Sequence, residues 1–191
     1  MKDMDRAQVP GEAVEHTLTF ADGTCRRVFV TSVETPYPHG KLIVSRTDKS
    51  GVITQCNKSF VDMSGYTEAE LIGQPHCILR HPDMPAAAFA DLWKTVQAGR
   101  QWHGYVKNLR KDGGHYWVYA TVVPNVRDGK IVGFTSVRRE PSREKVAAGD
   151  ADPYYVTKLQ TGQYFVERIL PDAAAHLAKL KTGAEVLMQM P

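Results

Sequence analysis

Asn57-Lys58-Ser59-Phe60-Val61-Asp62-Met63-Ser64-Gly65-Tyr66-Thr67-Glu68-Ala69-Glu70-Leu71-Ile72-Gly73 is the stretch on which the fold turns. Asn57 is of a type that caps helix N-termini, and Phe60 and Met63 fall three residues apart on one apolar side. The spacing predicts a short helix over 57–64. Thr67-Glu68-Ala69-Glu70 reads as a capping box, in which hydroxyl and carboxylate each satisfy a backbone N–H of the other's residue. A second short helix therefore starts there and stops at Gly73.

Upstream, Leu42 to Thr47 and Val52 to Gln55 read as strands joined by a turn through Asp48 and Gly51. Downstream, Phe89, Leu92, Trp93 and Val96 recur at helical spacing across Pro85 to Ala98, with Gly99 as the stop. Three further strands are predicted. The first, Gln101 to Arg110, ends at Lys111-Asp112-Gly113-Gly114. The second, His115 to Val126, alternates Tyr116, Val118, Ala120 and Val122 against Trp117, Tyr119, Thr121 and Val123. Asp128-Gly129 turns it into the third, Ile131 to Arg138. Two strands, short helices, one longer helix and a three-stranded meander imply an antiparallel sheet covered on one face by helices. That is an α+β layout.

The flanks are less patterned. The first fifteen residues are polar and expected to be loose. His16 to Phe20 and Arg26 to Val30 flank the turn signal Ala21-Asp22-Gly23-Thr24 and predict a β-hairpin, with Pro36 and Pro38 marking a linker. Beyond Glu140, Pro153 to Gln160 is expected to be a short helix, and Tyr164 to Leu170 either helix or strand. Ala173 to Lys181 reads as an alanine-rich helix opened by Pro171-Asp172 and ended by Gly183. No internal repeat or low-complexity tract is present.

Composition narrows the function classes. The 191 residues suit one domain with extensions, and 42% hydrophobic residues suffice for a core. The net charge of +3 comes from interspersed signs, so no basic stripe calls for nucleic acid or an anionic membrane. Met1-Lys2-Asp3-Met4-Asp5 lacks a signal-peptide core, and no apolar run approaches the ~18 residues of a membrane span. Cys25, Cys56 and Cys77 have neither disulfide-framework nor zinc-ligand spacing. A cytoplasmic location is expected.

Ile78-Leu79-Arg80-His81-Pro82-Asp83-Met84-Pro85 packs Arg, His and Asp into four positions between constraining prolines. It reads either as a stiff holder for a polar ligand or as a turn with solvated charges leading into a helix.

Together, Asn57-Lys58-Ser59-Phe60, Ser64 to Gly73 and the meander with Lys111-Asp112-Gly113 resemble the PAS sensory domain, over about residues 42–139. Within that family, Gly73-Gln74-Pro75-His76, Arg80 to Pro85, Trp102 to Lys111 and His115-Tyr116-Trp117-Val118 resemble the sensor domain of bacterial aerotaxis receptors. The resemblance implies a five-stranded PAS fold holding FAD non-covalently, whose redox state reports oxygen or electron-transport status. It also implies that Asn57, Arg80, His81, Asp83, Trp102 and Asn108 matter for flavin binding.

The residue chemistry is compatible. Asn57 and Asn108 supply amides that donate and accept, Trp102 a flat face, and Arg80 fixed donors for phosphate or carbonyl oxygens. Each also has a plain structural alternative. Asn57 serves as a helix cap, Trp102 as core, Asp83 as a helix N-terminal charge, and His76 and His81 as titrating surface groups. His81 and Asp83 fit ligand contact and loop support equally. Tyr116 completes the candidate set, although its alternation with Trp117 is also that of a packing residue.

Cys77 raises light-driven cysteine–flavin chemistry. Flavin photoreceptors carry Gly-x-Asn-Cys-Arg-Phe-Leu-Gln here, and the Gly73 register puts His76 at the cysteine position, so that chemistry is rejected. Haem, which some PAS sensors bind through a helix histidine, is disfavoured because Pro85 to Ala98 contains none. A cofactor-free or haem-binding interaction module is the alternative function. No nucleophile–base pair, metal cluster or phosphate loop suggests an enzyme.

The expected organisation is an N-terminal extension (1–38), a PAS domain (39–140) and a partly helical C-terminal extension (141–191). A homodimer and a downstream signalling partner are expected. Aerotaxis receptors continue into a membrane anchor and a signalling helix, so the chain is expected to be a sensor fragment or a short stand-alone protein.

Overall fold

The computed structural model describes residues 1–20, 22–151, 154–158 and 164–168, with side chains through 147. Strands β3 (Ile43–Thr47), β4 (Ile53–Cys56), β5 (Trp102–Leu109), β6 (His115–Arg127) and β7 (Lys130–Arg139) form one sheet, ordered β4-β3-β7-β6-β5 and antiparallel throughout. The first sheet strand thus pairs with the last, and the meander completes the other edge. Hairpin β1 (Val14–Thr19) and β2 (Cys25–Val30) is a separate two-stranded sheet.

Local chemistry sets the helices. Asn57 caps α1 (Lys58–Ser64), its Oδ1 accepting from Phe60 N at 3.0 Å, and Gly65 ends it at φ 75°. The capping box of Thr67 and Glu70 is formed at α2 (Glu68–Leu71). A 3-10 turn covers His76–Leu79, and α3 runs Ala86–Gln97 between Pro85 and Ala98. The Asp128-Gly129 turn places both residues at positive φ, 51° and 71°.

Strand pairing decides which side chains share a face, because directly opposed residues point the same way. Trp102 opposes Val122, Val106 opposes Val118 and Asn108 opposes Tyr116; Ala120 opposes Arg138, which opposes Ile43. This side faces the helices. Arg138 lies 5.1 Å from the Phe60 ring, and the Trp93 and Phe134 rings meet at 5.4 Å. The core sits here, with Phe60, Leu71, Leu79, Met84, Val96, Trp102 and Tyr116 all buried.

The opposite face is covered by the extensions. Leu109 joins a second apolar cluster with Met4, Val9, Leu18, Val28 and Phe29. Helix α4 (Arg143–Ala151) buries Val146 and sets Lys145 5.8 Å from the Tyr105 ring.

Two expectations need correction. The first fifteen residues are not loose: Met4 and Val9 are buried, and a 3-10 turn forms over Arg6–Gln8. Val9 packs where only Gly113 leaves room, since a Cβ there would stand 2.6 Å from Val9 Cγ1. The segment predicted as a helix from Pro153 is instead strand β8 (Tyr154–Lys158), paired with β9 (Tyr164–Arg168). Hairpin pairing with the neighbouring β9 overrides the helical spacing of Tyr155, Val156 and Leu159. The helix expected over Ala173 to Lys181 lies outside the described residues. Among the described residues, no helix is long and apolar enough to cross a membrane.

Candidate functional site

The Arg80–Pro85 segment runs along edge strand β5. Arg80 forms an antiparallel bridge with Asn108, and Lys107 N approaches Met84 Sδ at 3.3 Å. Pro82 ends the 3-10 turn's path and helps set a tight turn over Pro82 and Asp83, closed by Met84 N donating to His81 O at 3.1 Å. Arg80 Nη2 donates to Met84 O at 2.6 Å, and its guanidinium lies 4.2 Å from the Phe89 ring centroid. The segment therefore braces itself onto the sheet edge while presenting Arg80 beside α3.

His81 and Asp83 turn toward the other face. His81 is buried, its ring edge-on to His115 at 5.7 Å. Its Nδ1 accepts from Asp83 N at 3.2 Å, so a neutral ring carries its proton on Nε2, which has no partner. Burial, which outweighs the pull of Asp83, depresses its pKa to about 3. Asp83 accepts from Lys107 Nζ at 3.0 Å. Burial works against this carboxylate, yet the hydrogen bond and charge of Lys107 help hold it below its ordinary range. The alternative of a surface titrating group does not hold for His81, which is buried. Asn57 stands at the opposite edge, and its amide serves the backbone: Oδ1 accepts from Val44 N and Phe60 N, and Nδ2 donates to Leu42 O.

Trp102, Asn108 and Tyr116 share the helix-facing side, with Trp102 at one end of β5 and the Asn108–Tyr116 pair at the other, and strand pairing adds residues there that sequence reasoning missed. Asn108 Nδ2, Tyr116 OH, Thr47 Oγ1 and Arg138 Nη1 are all buried with no hydrogen-bond partner. Interiors rarely leave such groups unpaired, because each costs about 1–3 kcal/mol. Burial pushes Tyr116 up to about 12, with Arg138 acting against it. Arg138 Nη2 contacts His76 Nε2 at 2.6 Å and Ser45 Oγ at 3.1 Å. Because guanidinium only donates, His76 Nε2 accepts and the ring is neutral; burial and then Arg138 lower its pKa to about 3. One signal for Arg138 was available in the sequence: it lies in phase with Phe134 on a predicted strand.

Trp102 closes this interior. Its indole is buried, donates from Nε1 to Asp91 Oδ2 at 2.8 Å, and lies over Gly104. Cys77 faces elsewhere, its Sγ 3.9 Å from Met1 Sδ. Burial raises its thiol pKa.

Comparison with known proteins agrees with this geometry. Residues 53–138 match the family model described as the PAS fold. A second model, described as Acetyl-CoA dehydrogenase C-terminal like, matches residues 137–191. The aerotaxis receptor of Escherichia coli (strain K12) is 50% identical over 127 residues, covering 66% of this chain and 25% of that protein. Phototropin-2 of Oryza sativa subsp. japonica is 36% identical over 93 residues, 48% of this chain and 10% of that protein. The light-state structure of the Aureochrome1 LOV photoreceptor superposes with a TM-score of 0.51 at 20% identity, over 57% of this chain and 90% of that one, a likeness of fold.

The sheet order and the helices on one face are those of the PAS fold, which the family model matches over residues 53–138. Within that class, this chain resembles the aerotaxis receptor of bacteria, of which it spans a quarter.

Proposed function

We propose that residues 39–140 form a redox-sensing PAS domain that binds FAD non-covalently and reports oxygen or electron-transport status in aerotaxis-like signalling. The observation that carries this reading is the set of unpaired buried polar atoms on the helix-facing side: Asn108 Nδ2, Tyr116 OH, Thr47 Oγ1 and Arg138 Nη1. An isoalloxazine ring needs an apolar, aromatic slot with a few donors and acceptors on its polar edge. Trp102, Trp93 and Phe134 supply aromatic walls, and the unpaired atoms supply the polar contacts. Arg80, held at the sheet edge by Met84 and Phe89, offers donors to a phosphate or carbonyl oxygen. When bound, flavin supplies reversible electron storage.

In this reading His81 and Asp83 support the loop through Lys107, and Asn57 supports α1. The placement of Cys77 Sγ beside Met1 argues against thiol photochemistry. The domain is read as cytoplasmic and homodimeric, passing its signal to a downstream protein rather than turning over a substrate. Residues 1–38 and 141–191 are read as extensions. Their attachment to the outer face of β5, through Leu109 and Tyr105, gives a strand displacement a route outward.

A cofactor-free interaction module is the second reading, favoured by the closure of the interior by Trp102 over Gly104. Reconstitution with FAD separates the two. Stoichiometric yellow protein that bleaches on reduction supports the sensor, and Arg80→Ala or Trp102→Phe then lowers occupancy more than folding. Colourless protein that refuses FAD leaves the module.

A further inference from the structure

Arg138 is 3% exposed, yet no carboxylate among the described residues makes an ion pair with it. Its partners are neutral: the Ser45 hydroxyl, a neutral His76 ring and the face of Phe60. A buried cation costs several kcal/mol unless it is compensated, and cation–π contact returns only about 0.5–2 kcal/mol. Its second terminal nitrogen, Nη1, has no partner at all. Tyr116, also buried and unpaired at its hydroxyl, is close enough to act electrostatically on it. A positive charge, a spare donor and a spare hydroxyl thus meet in the helix-facing interior, with no carboxylate among the described residues paired to them.

We propose that Arg138, positioned by Ser45 and His76, is the counter-charge for the anionic form of a reduced ring bound in this interior. The inference rests on the FAD reading and adds to it which residue tunes the potential. The charge balance is simple. A neutral ring that takes up two electrons and one proton carries one net negative charge, the electrons coming from the electrode in the assay and the proton from water. Arg138 stabilises that charge and not the oxidised ring, so it raises the midpoint potential.

The test is spectroelectrochemical titration of the FAD-loaded protein and of Arg138→Gln and Arg138→Lys. Arg138→Gln is expected to hold the reduced ring about 10- to 100-fold less tightly relative to the oxidised ring. That lowers the midpoint by about 30–60 mV at about 30 mV per decade for a two-electron couple. Arg138→Lys, keeping the charge, retains most of the wild-type value. An unchanged potential in loaded Arg138→Gln overturns the proposal while leaving the FAD reading intact.

If the glutamine variant fails to fold or load, the wild-type protein decides. Its potential is expected to fall by about 30 mV per pH unit between pH 6 and 8, the mark of one proton per two electrons. A slope of about 59 mV, two protons, means a neutral reduced ring and overturns the proposal. The titratable groups facing Arg138 do not change charge in that window: His76 titrates near 3, Tyr116 near 12, and burial raises Tyr37 further above 10. Failure of the wild-type protein to take up FAD refutes the FAD reading itself and the proposal with it.

Discussion

Gly104→Ala probes how tightly the interior is closed. Gly104 has no positive φ, so alanine meets no backbone penalty and only the contact matters. The new Cβ would stand 2.3 Å from Trp102 Cη2 and 2.6 Å from Cζ2, so the ring or the strand must move. The ring is held by burial and by the 2.8 Å bond from Nε1 to Asp91. Overpacking costs about 1–3 kcal/mol, and loosening a hydrogen bond to a charged acceptor adds about 1.5 kcal/mol or more. A destabilisation of about 2.5–4.5 kcal/mol is expected, or roughly 5–18 °C in Tm at about 2–4 °C per kcal/mol for a chain of this size. Thermal unfolding reads it directly. Trp102→Phe in the same chain removes the clashing atoms, so a double-mutant cycle should show coupling above about 1 kcal/mol. A Tm within about 1 °C of wild type, or additive single effects, refutes the wedge.

Three other outcomes are expected. Arg26→Met removes donors to Ile78 O at 2.6 Å, Tyr66 OH at 3.1 Å and Lys2 O at 3.0 Å, leaving acceptors buried. A loss of about 2–4 kcal/mol should follow, with hydrogen exchange rising first over the Val14–Val30 hairpin; uniform exchange would contradict this. Asn57→Ala should cost about 1–2 kcal/mol as a lost cap, while FAD affinity of the folded fraction stays unchanged. A tenfold loss of affinity at unchanged stability would make Asn57 a ligand contact instead. His81 and His76 titrate near 3 when folded but near 6.5 unfolded. As pH falls from about 6.5 to 3 the unfolded chain binds protons that the native state does not, so each removes up to about 1.4 kcal/mol per pH unit. Denaturant midpoints at pH 7 and 5 should converge partly in His81→Gln, and an identical pH dependence would argue against a buried neutral His81.

Features carried by a few neighbouring residues were legible in the sequence. Asn57, the Thr67–Glu70 capping box and the Asp128-Gly129 turn each specify a backbone conformation by their own hydrogen bonds or φ preference, and all three form. The strands of the meander were visible because Tyr116 to Val123 alternate with period two. What depended on distant partners was not visible. Met4 and Val9 look like isolated apolar residues until Phe29 and Gly113 close around them. Even the local hairpin of Tyr154–Lys158 with β9 was hidden, because Tyr155, Val156 and Leu159 fit helical spacing as well. Of the candidate site, the shared face of Trp102, Asn108 and Tyr116 was legible, because their strands are in register. Arg138 and His76 come together only when the last strand pairs beside the first. The turn of His81 and Asp83 toward Lys107 and His115 likewise follows from where the loop crosses the sheet edge.

The absorption spectrum of the native protein, recorded before and after dithionite, tests the central claim most directly. The account predicts the visible band of oxidised flavin at about one FAD per chain, lost on reduction and restored by air. Colourless protein that stays colourless after incubation with excess FAD would contradict it.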